Sequence, residues 1–174
     1  MNPYWAPPFV DQTAHFMPDW LDRMDLSAWS FPQVLAQYTQ QEATARAEEQ
    51  MRAGVARAEE ALASRQKKLL GARVPVLGVA YKRDIDDCRE SPALEIIEML
   101  RSRGAAVSYS DPHVPRIGPF RAHSFVMESQ KLGPEAFAGN DLVILATDHA
   151  AFDYAAVLKQ APLVVDTRNA FVKA

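Results

Sequence analysis

The sequence predicts an α/β protein with a Rossmann-like parallel sheet covered by helices on both faces, preceded by a long helix and an irregular N-terminal arm. Short apolar runs alternate with helical patterns in the second half of the chain, as in parallel sheets. Residues 33–70 contain no proline and a single glycine, and good helix formers dominate. Residues 1–32 hold several prolines and all three tryptophans. We therefore predict an arm at 1–32, a connector-like helix at 33–70 and the sheet domain at 71–174.

Composition narrows the class of protein. The chain has 174 residues, a net charge of −3 and 48% hydrophobic residues, which allows one sizeable core and favours neither nucleic acid nor a membrane surface as partner. No apolar run approaches the ~20 residues of a membrane span, and the N-terminus lacks the pattern of a signal peptide. A single cysteine, Cys88, excludes an internal disulfide. We expect a soluble, cytoplasmic protein.

The first two segments leave alternatives open. The arm either docks on a partner or is a disordered leader, because aromatic residues and prolines occur there without a steady period. The long helix should bury one thin apolar stripe, or else be a solvated or dimer-forming helix. We expect Gly71 to end it. The stripe consists of Met51, Val55, Ala58, Leu62 and Leu69.

A strand, a charged loop and a capped helix follow. The apolar run Val76–Ala80 suits a strand buried on both faces, and Pro75 should lie at its first position or on an edge. Ser91 is the expected N-cap of a helix over Pro92–Arg103, with proline at the first helical position. Gly104 should end that helix.

Further elements alternate along the remaining chain. The predicted strands are Ala106–Ser110, Ser124–Met127, Leu142–Ala146 and Leu163–Asp166, and the predicted helices are Pro134–Ala138 and Phe152–Lys159. Residues 112–123 are rich in proline and should form a loop. The carboxyl ends of parallel strands share one edge, and that edge is the expected ligand crevice.

Three basic residues follow strands or precede a helix at that edge. Lys82 could place a point charge on a phosphate, and Arg168 could grip a phosphate or sugar hydroxyl with its planar guanidinium. Arg89, just before a helix N-terminus, could face a second anion. Surface ion pairs are the alternative, between Lys82 and Asp84 or Asp86, and between Arg89 and Asp87 or Glu90.

The strand-to-helix turn does not carry a dinucleotide-binding motif. Gly78 stands where the motif would start, but the run is GVAYKR rather than GxGxxG, and Tyr81 and Lys82 fill the space that a pyrophosphate would need. Asp111 occupies the position of a ribose-binding acid, although we favour an ordinary Asp-Pro turn. This unit should therefore not hold NAD in the usual manner.

No metal site or nucleophile is expected. The four histidines lack metal-ligand spacing, and with one cysteine a metal site is improbable. His149, beside Asp148, is a candidate for a polar site, but we favour a loop cap. Cys88 lies among acidic residues that should raise its pKa, so we do not expect it to act as a nucleophile.

Four segments together resemble a known family. The strings GVAYKRDIDDCRESPALEI, SYSDPHVP, DLVILATDHAAFDY and VVDTRNA resemble, in this order, the C-terminal domain of the UDP-glucose/GDP-mannose 6-dehydrogenases. The resemblance covers residues 66–174. The DTRN ending and the TDH-x3-DY segment are most similar to the branch that oxidises UDP-N-acetylhexosamines.

The resemblance implies a role for several residues. It implies a Rossmann-like domain that binds the UDP part of a nucleotide sugar, with Tyr81 and Lys82 contacting the substrate and Lys82 near the diphosphate. Arg168 should also contact the substrate. Arg89 should reach the NAD bound by a partner domain. Cys88 fills a variable position of the family motif and has no implied role.

Two parts of the family pattern do not occur in this sequence. Family members carry a glycine-fingerprint NAD domain and a catalytic cysteine, and here there is no GxGxxG and only Cys88. We therefore expect a UDP-sugar-binding domain of an NAD-dependent enzyme that oxidises the sugar C6 alcohol to a carboxylate for polysaccharide precursors. Alone it should be inactive, with a separate NAD-binding chain or a homodimer as partner. The alternative is a non-catalytic interaction or regulatory module that uses the arm and long helix.

Overall fold

The structure is a computed structural model that describes residues 31–120, 123–131 and 137–171. The chain divides into two compact units, residues 1–43 and 44–174. Nearly all of the predicted arm at 1–32 lies outside the described residues. The same holds for most of the helix predicted at Pro134–Ala138, of which only Phe137 and Ala138 are described, both helical.

The long helix, α1, spans Phe31–Ser64 and therefore ends before the predicted limit. Its end is a Schellman motif, in which the Lys67 N–H donates to Leu62 O and the Gln66 N–H donates to Ala63 O. Gln66 adopts the left-handed conformation, with φ of 56°, that glycine usually supplies. The sequence prediction relied on a glycine, and the first one available is Gly71.

The apolar stripe predicted on this helix is buried. Met51, Val55, Ala58 and Leu62 lie in the core of the second unit, together with Leu69 beyond the helix end. The helix continues through Gly54 without a break. The part of α1 that belongs to the second unit is therefore a packed element of the sheet domain.

Strand β1 spans Arg73–Leu77 and begins and ends earlier than predicted. Gly78, at φ of 75°, ends it. Pro75 lies inside this central strand, which corrects the prediction of a first or edge position. The Gly78 N–H donates to Ser110 O of the neighbouring strand, so the Pro75 nitrogen faces the opposite neighbour. The paired residues on that side begin at Val76, so the nitrogen that cannot donate lies at the end of this ladder.

Helix α2 follows the sequence prediction closely. It spans Pro92–Ser102, and the Ser91 hydroxyl accepts a hydrogen bond from the Ala93 N–H. Its buried residues are Ala93, Leu94, Ile96, Ile97 and Leu100. Gly104, at φ of 82°, follows the last turn.

Besides β1, the main sheet contains β2 (Ala106–Ser110), β5 (Val143–Leu145) and β6 (Val164–Asp166), and helix α3 (Tyr154–Gln160) lies between the last two in the chain. The four strands are parallel and lie in the order β2-β1-β5-β6. These elements were all predicted, with differences only at their ends. Asp153 caps α3 by accepting a hydrogen bond from the Ala156 N–H.

The strand predicted at Ser124–Met127 does not join this sheet. Strand β4 (Met127–Glu128) pairs antiparallel with β3 (Arg116–Ile117) in a separate two-stranded sheet. Two-residue strands carry too few alternating side chains for a period to show in the sequence. The prediction of a third parallel strand was therefore wrong.

Helices cover both faces of the main sheet, as predicted. Neighbouring strand residues alternate between two apolar clusters, with Val76 and Ile144 in one and Leu77 and Leu145 in the other. Residues of α1 and α2 complete the first cluster, and Val157 of α3 contributes to the second. Across the described parts of the chain, the helices lack the length or the apolar character to cross a bilayer.

Candidate functional site

The carboxyl ends of β2, β1, β5 and β6 form one edge of the main sheet. Residues 78–91, 111–115, 146–153 and 167–171 lie along this edge, each after one strand. In open parallel sheets ligands bind at this position. We call residues 78–91 the β1 loop.

Gly78 brings the β1 loop close to the end of β5. A Cβ atom at this position would lie 2.0 Å from the carbonyl oxygen of Thr147, which no side chain tolerates. The Thr147 hydroxyl also donates a hydrogen bond of 2.7 Å to Ala80 O. The sequence reading assigned Gly78 no clear role, and the structure shows that close backbone approach requires it.

Asp111 ties the start of the β1 loop to the end of β2. Its carboxylate is buried, and one oxygen accepts hydrogen bonds from the N–H groups of Val79 (2.6 Å) and Ala80 (3.0 Å). The other oxygen accepts from His113 N–H (2.8 Å) and Val114 N–H (3.0 Å) in a local turn. The predicted turn is confirmed, and a buried carboxylate held by four amides is not placed to bind a ribose.

Tyr81 and Lys82 are exposed at the tip of the β1 loop. The Tyr81 N–H donates to Asp87 O at 2.7 Å, which closes the loop on itself. The Lys82 ammonium lies over the Tyr81 ring, 5.4 Å from its centroid. Of the ion pairs considered for Lys82, neither that with Asp84 nor that with Asp86 is formed among the described residues. Its charge is therefore available to an anion.

Arg83 pairs with Asp84, one of the two carboxylates that the sequence offered to Lys82. Its guanidinium pairs with Asp84 at 3.2 Å and with Asp148 at 2.9 Å. Asp148 follows β5, so this pair links two loops of the edge. The sequence had not singled out Arg83, because its long-range partner is 65 positions away.

Arg168 lies at the same edge as Lys82, after β6. Its Nε–H donates a hydrogen bond of 2.7 Å to Ala146 O, directly after β5. Its N–H donates to the Asp166 carboxylate at 2.8 Å. Because β5 lies between β1 and β6 in the sheet, the loops that carry Lys82 and Arg168 follow the two strands on either side of β5. The structure therefore brings these two predicted residues to one edge.

Arg89 is engaged in the ion pair that the sequence offered as its alternative. Two of its nitrogens contact the two Asp87 carboxylate oxygens at 3.0 and 2.9 Å. The Arg89 side chain and its N–H lower the pKa of Asp87 to about 2. Since the Arg89 side chain is 73% exposed, it could exchange this partner for another anion.

His149 is fully buried at the centre of the edge. Its Nδ1 accepts a hydrogen bond from the Asp84 N–H at 2.9 Å, so the hydrogen of the ring is on Nε2. That Nε2–H faces the Asp111 carboxylate at 3.1 Å. The sequence suggested a loop cap or a polar site after β5, and the ring connects three loops.

Asp84, His113 and His149 bring three possible metal ligands within 4.8 Å of one another. The spacing of the histidines in the sequence had not indicated this group. The lone pair of His149 Nδ1 already accepts the Asp84 N–H, so a metal ion would have to displace that amide. In this structure a hydrogen bond joins Asp84 and His149, whereas the buried His113 Nε2 has no hydrogen-bond partner among the described residues.

Cys88 is a buried residue of the β1 loop. Burial, and after it the charge of Asp87, raises the pKa of its thiol. A thiol of this kind is a poor nucleophile, as expected from the sequence.

Comparison with protein families identifies the domain. The model of the UDP-glucose/GDP-mannose dehydrogenase family, UDP binding domain, matches residues 75–173. This match starts in β1 and ends beyond β6, so it contains the whole edge described above.

Curated relatives agree with this match. A UDP-N-acetyl-D-mannosamine dehydrogenase of Methanococcus maripaludis (strain C7) is 36% identical over 80 residues, which are 46% of this chain and 17% of that protein. A UDP-glucose 6-dehydrogenase of Rhizobium meliloti is 30% identical over 110 residues, 59% of this chain and 24% of that protein. The chain therefore spans less than a quarter of the length of these two relatives.

Solved structures show the same fold. The UDP-D-ManNAc dehydrogenase of Pyrococcus horikoshii has a TM-score of 0.55 at 27% identity, over 68% of this chain and 27% of that one. A UDP-glucose dehydrogenase of Pyrobaculum islandicum has a TM-score of 0.51 at 25% identity, over 69% of this chain and 30% of that one. The chain belongs to the UDP-glucose/GDP-mannose dehydrogenase family and carries its UDP-binding domain.

Proposed function

We propose that residues 71–174 bind the UDP part of a nucleotide sugar at the carboxyl edge of the main sheet. Lys82 and Arg168 would hold the diphosphate from two sides of the β5 end, and Tyr81 would contact the substrate beside them. The observation that carries the proposal is the exposed Lys82 ammonium, which no described carboxylate neutralises although acidic residues surround it in the sequence. An exposed ammonium that forms no ion pair with a described residue suits a diphosphate.

The complete enzyme would use NAD to oxidise the C6 alcohol of the bound sugar to a carboxylate. The relatives named above include dehydrogenases of UDP-N-acetyl-D-mannosamine and of UDP-glucose, so the substrate would be a UDP-sugar. Hydride transfer requires a nicotinamide held against the substrate, which we assign to an NAD-binding domain on a separate chain or in a homodimer. Arg89 would leave Asp87 to reach that NAD. A cytoplasmic location belongs to the same proposal.

Calorimetric titration tests the binding role. UDP should release heat on binding to the folded protein, and uridine should bind far more weakly because it lacks the diphosphate that meets Lys82 and Arg168. Adding NAD with a UDP-sugar to this chain alone should produce no NADH. Absence of any binding heat with millimolar UDP, on protein shown to be folded by circular dichroism, would refute the proposal.

A further inference from the structure

We propose that His149 is a positioning residue for the β1 loop, which holds Lys82 where a nucleotide diphosphate can meet it. The inference rests on the proposed UDP-binding function. Lys82 makes no ion pair with a described residue that could fix the position of its side chain. The ammonium contacts the ring of Tyr81, its neighbour in the same loop, so the position of the charge depends on the backbone that carries both residues.

The backbone is anchored on both sides of the exposed pair Tyr81-Lys82. Before the pair, the N–H groups of Val79 and Ala80 donate to the Asp111 carboxylate at 2.6 and 3.0 Å. After the pair, the Asp84 N–H donates to His149 Nδ1 at 2.9 Å. The two anchors are themselves joined by the contact of 3.1 Å between His149 Nε2 and Asp111.

The anchor at Asp84 holds an unfavourable backbone conformation. Asp84 has φ of 57°, in the left-handed region that residues other than glycine rarely adopt. Such a conformation persists where surrounding bonds over-determine it. Here the His149 ring accepts the Asp84 N–H, and the next residue, Ala150, donates its N–H to the Asp84 carboxylate at 2.9 Å.

The surroundings of His149 hold its ring in place. The side chain is 0% exposed, and the ring of Phe152 meets it edge-on at 5.4 Å. The Tyr154 hydroxyl donates to the His149 carbonyl at 2.9 Å. A buried ring whose two nitrogens both make hydrogen bonds has one favourable orientation. Since His149 follows β5, its ring holds the β1 loop at a fixed position relative to that strand.

Losing His149 should free the loop without removing any group that touches the ligand. The Asp84 amide would lose its acceptor, and the left-handed turn after Lys82 would relax. Because the loop would have to become ordered when UDP binds, the affinity for UDP should fall by about tenfold, the effect of one lost hydrogen bond. Uridine, which does not need Lys82, should bind as before.

Two substitutions test the hydrogen bonds of the two ring nitrogens separately. In His149→Asn the amide oxygen stands near the place of Nδ1 and can still accept from Asp84. In His149→Gln the longer side chain can still donate to Asp111, but leaves the Asp84 amide without its acceptor. We expect UDP affinity to fall in the order wild type, His149→Asn, His149→Gln, with uridine affinity equal in all three.

The matched control is His123→Gln, since His123 is also buried, with a side chain 5% exposed, but contacts Glu98 on α2. It should lose stability while keeping the ratio of UDP to uridine affinity. The inference is overturned if His149→Gln binds UDP within twofold of the wild type, or if UDP and uridine affinity fall together. A wild type that does not bind UDP would overturn the proposed function as well.

Nitrogen NMR of the wild-type protein provides a test that needs no substitution. We expect an unprotonated Nδ1 and a protonated Nε2 in His149, and slow hydrogen exchange at the Asp84 amide. The opposite tautomer, or an Asp84 amide that exchanges as fast as an open loop, would contradict the inference even if the variants failed to fold.

Discussion

Lys82 stays available to a ligand because its neighbours pair with one another. Arg83 takes Asp84 and Asp148, and Arg89 takes Asp87. From the sequence each of these bases had several nearby acids to choose from, and spacing alone could not rank them. The turn at Asp84 and the position of Asp148 after β5 decide which acid Arg83 contacts. Only folding brings Asp148 close to Arg83.

Gly78 should tolerate no side chain. An added Cβ would lie 2.0 Å from Thr147 O, and the residue has φ of 75°, so Gly78→Ala combines a steric clash with backbone strain. We expect it to lower the free energy of unfolding by more than about 3 kcal/mol, measured by urea denaturation.

Gly71→Ala is the matched control for this clash. Gly71 has φ of 79° with nothing within 4 Å of an added Cβ, so it should show the strain alone, about 1–2 kcal/mol. Equal losses in the two variants would mean that the β1 loop and the end of β5 are not in the close contact described here.

The pKa of Asp87 reports whether Arg89 is paired in solution. Because the Arg89 guanidinium, together with the Arg89 N–H, lowers this pKa to about 2, the ion pair is present at neutral pH and is lost as pH falls through about 2. In Arg89→Ala the backbone N–H remains, so the pKa of Asp87 should rise part of the way toward its ordinary value of about 4, followed by carbon NMR of the side chain.

Arg83→Ala is the control for this titration, since Arg83 contacts Asp84 rather than Asp87 and should leave the pKa of Asp87 low. A carboxyl that titrates at the same pH with and without Arg89 would show that the pair does not form. Arg89 would then already be free to meet a cofactor.

At the scale of the elements, periodicity and capping residues predicted most of what is observed. Ser91 and Pro92 indicated the start of α2, and the apolar run of β5 indicated a buried strand, because caps and apolar faces depend on residues close together in the sequence. The end of α1 was missed because Gln66 takes the left-handed position without being glycine. The pair β3–β4 was missed because strands of two residues are too short to show an alternating pattern.

Helix α1 should contribute to the stability of the sheet domain. Leu62 is fully buried in the main core, so Leu62→Ala should lower the free energy of unfolding by about 2–5 kcal/mol in urea denaturation. Leu158 of α3 is 52% exposed, so Leu158→Ala should change the free energy of unfolding by less than about 1 kcal/mol. A loss at Leu62 no larger than at Leu158 would mean that α1 does not pack on the sheet in solution.

At the scale of the whole molecule, the alternation of strands and helices predicted the class of fold, and the motifs after each strand predicted the family. The site was predicted less completely. Tyr81, Lys82 and Arg168 were named because they follow strands, and the structure places them at one edge. Asp111 and His149 appeared to be turn residues, since neither burial nor a contact 38 positions apart leaves a local pattern.

The second unit extends beyond the residues that match the family. The match to the family begins at residue 75, whereas the core of the second unit also contains the end of α1. The edge described above thus lies within one unit of this chain.

The affinity of the Lys82→Ala variant for UDP, measured by calorimetry, tests the account most directly. Removing one charged hydrogen bond should weaken binding by about 1–3 kcal/mol, roughly tenfold or more. Lys68→Ala, an exposed lysine before β1, should bind UDP like the wild type. If Lys82→Ala binds UDP as tightly as the wild type, Lys82 does not hold the diphosphate and the proposed site is wrong.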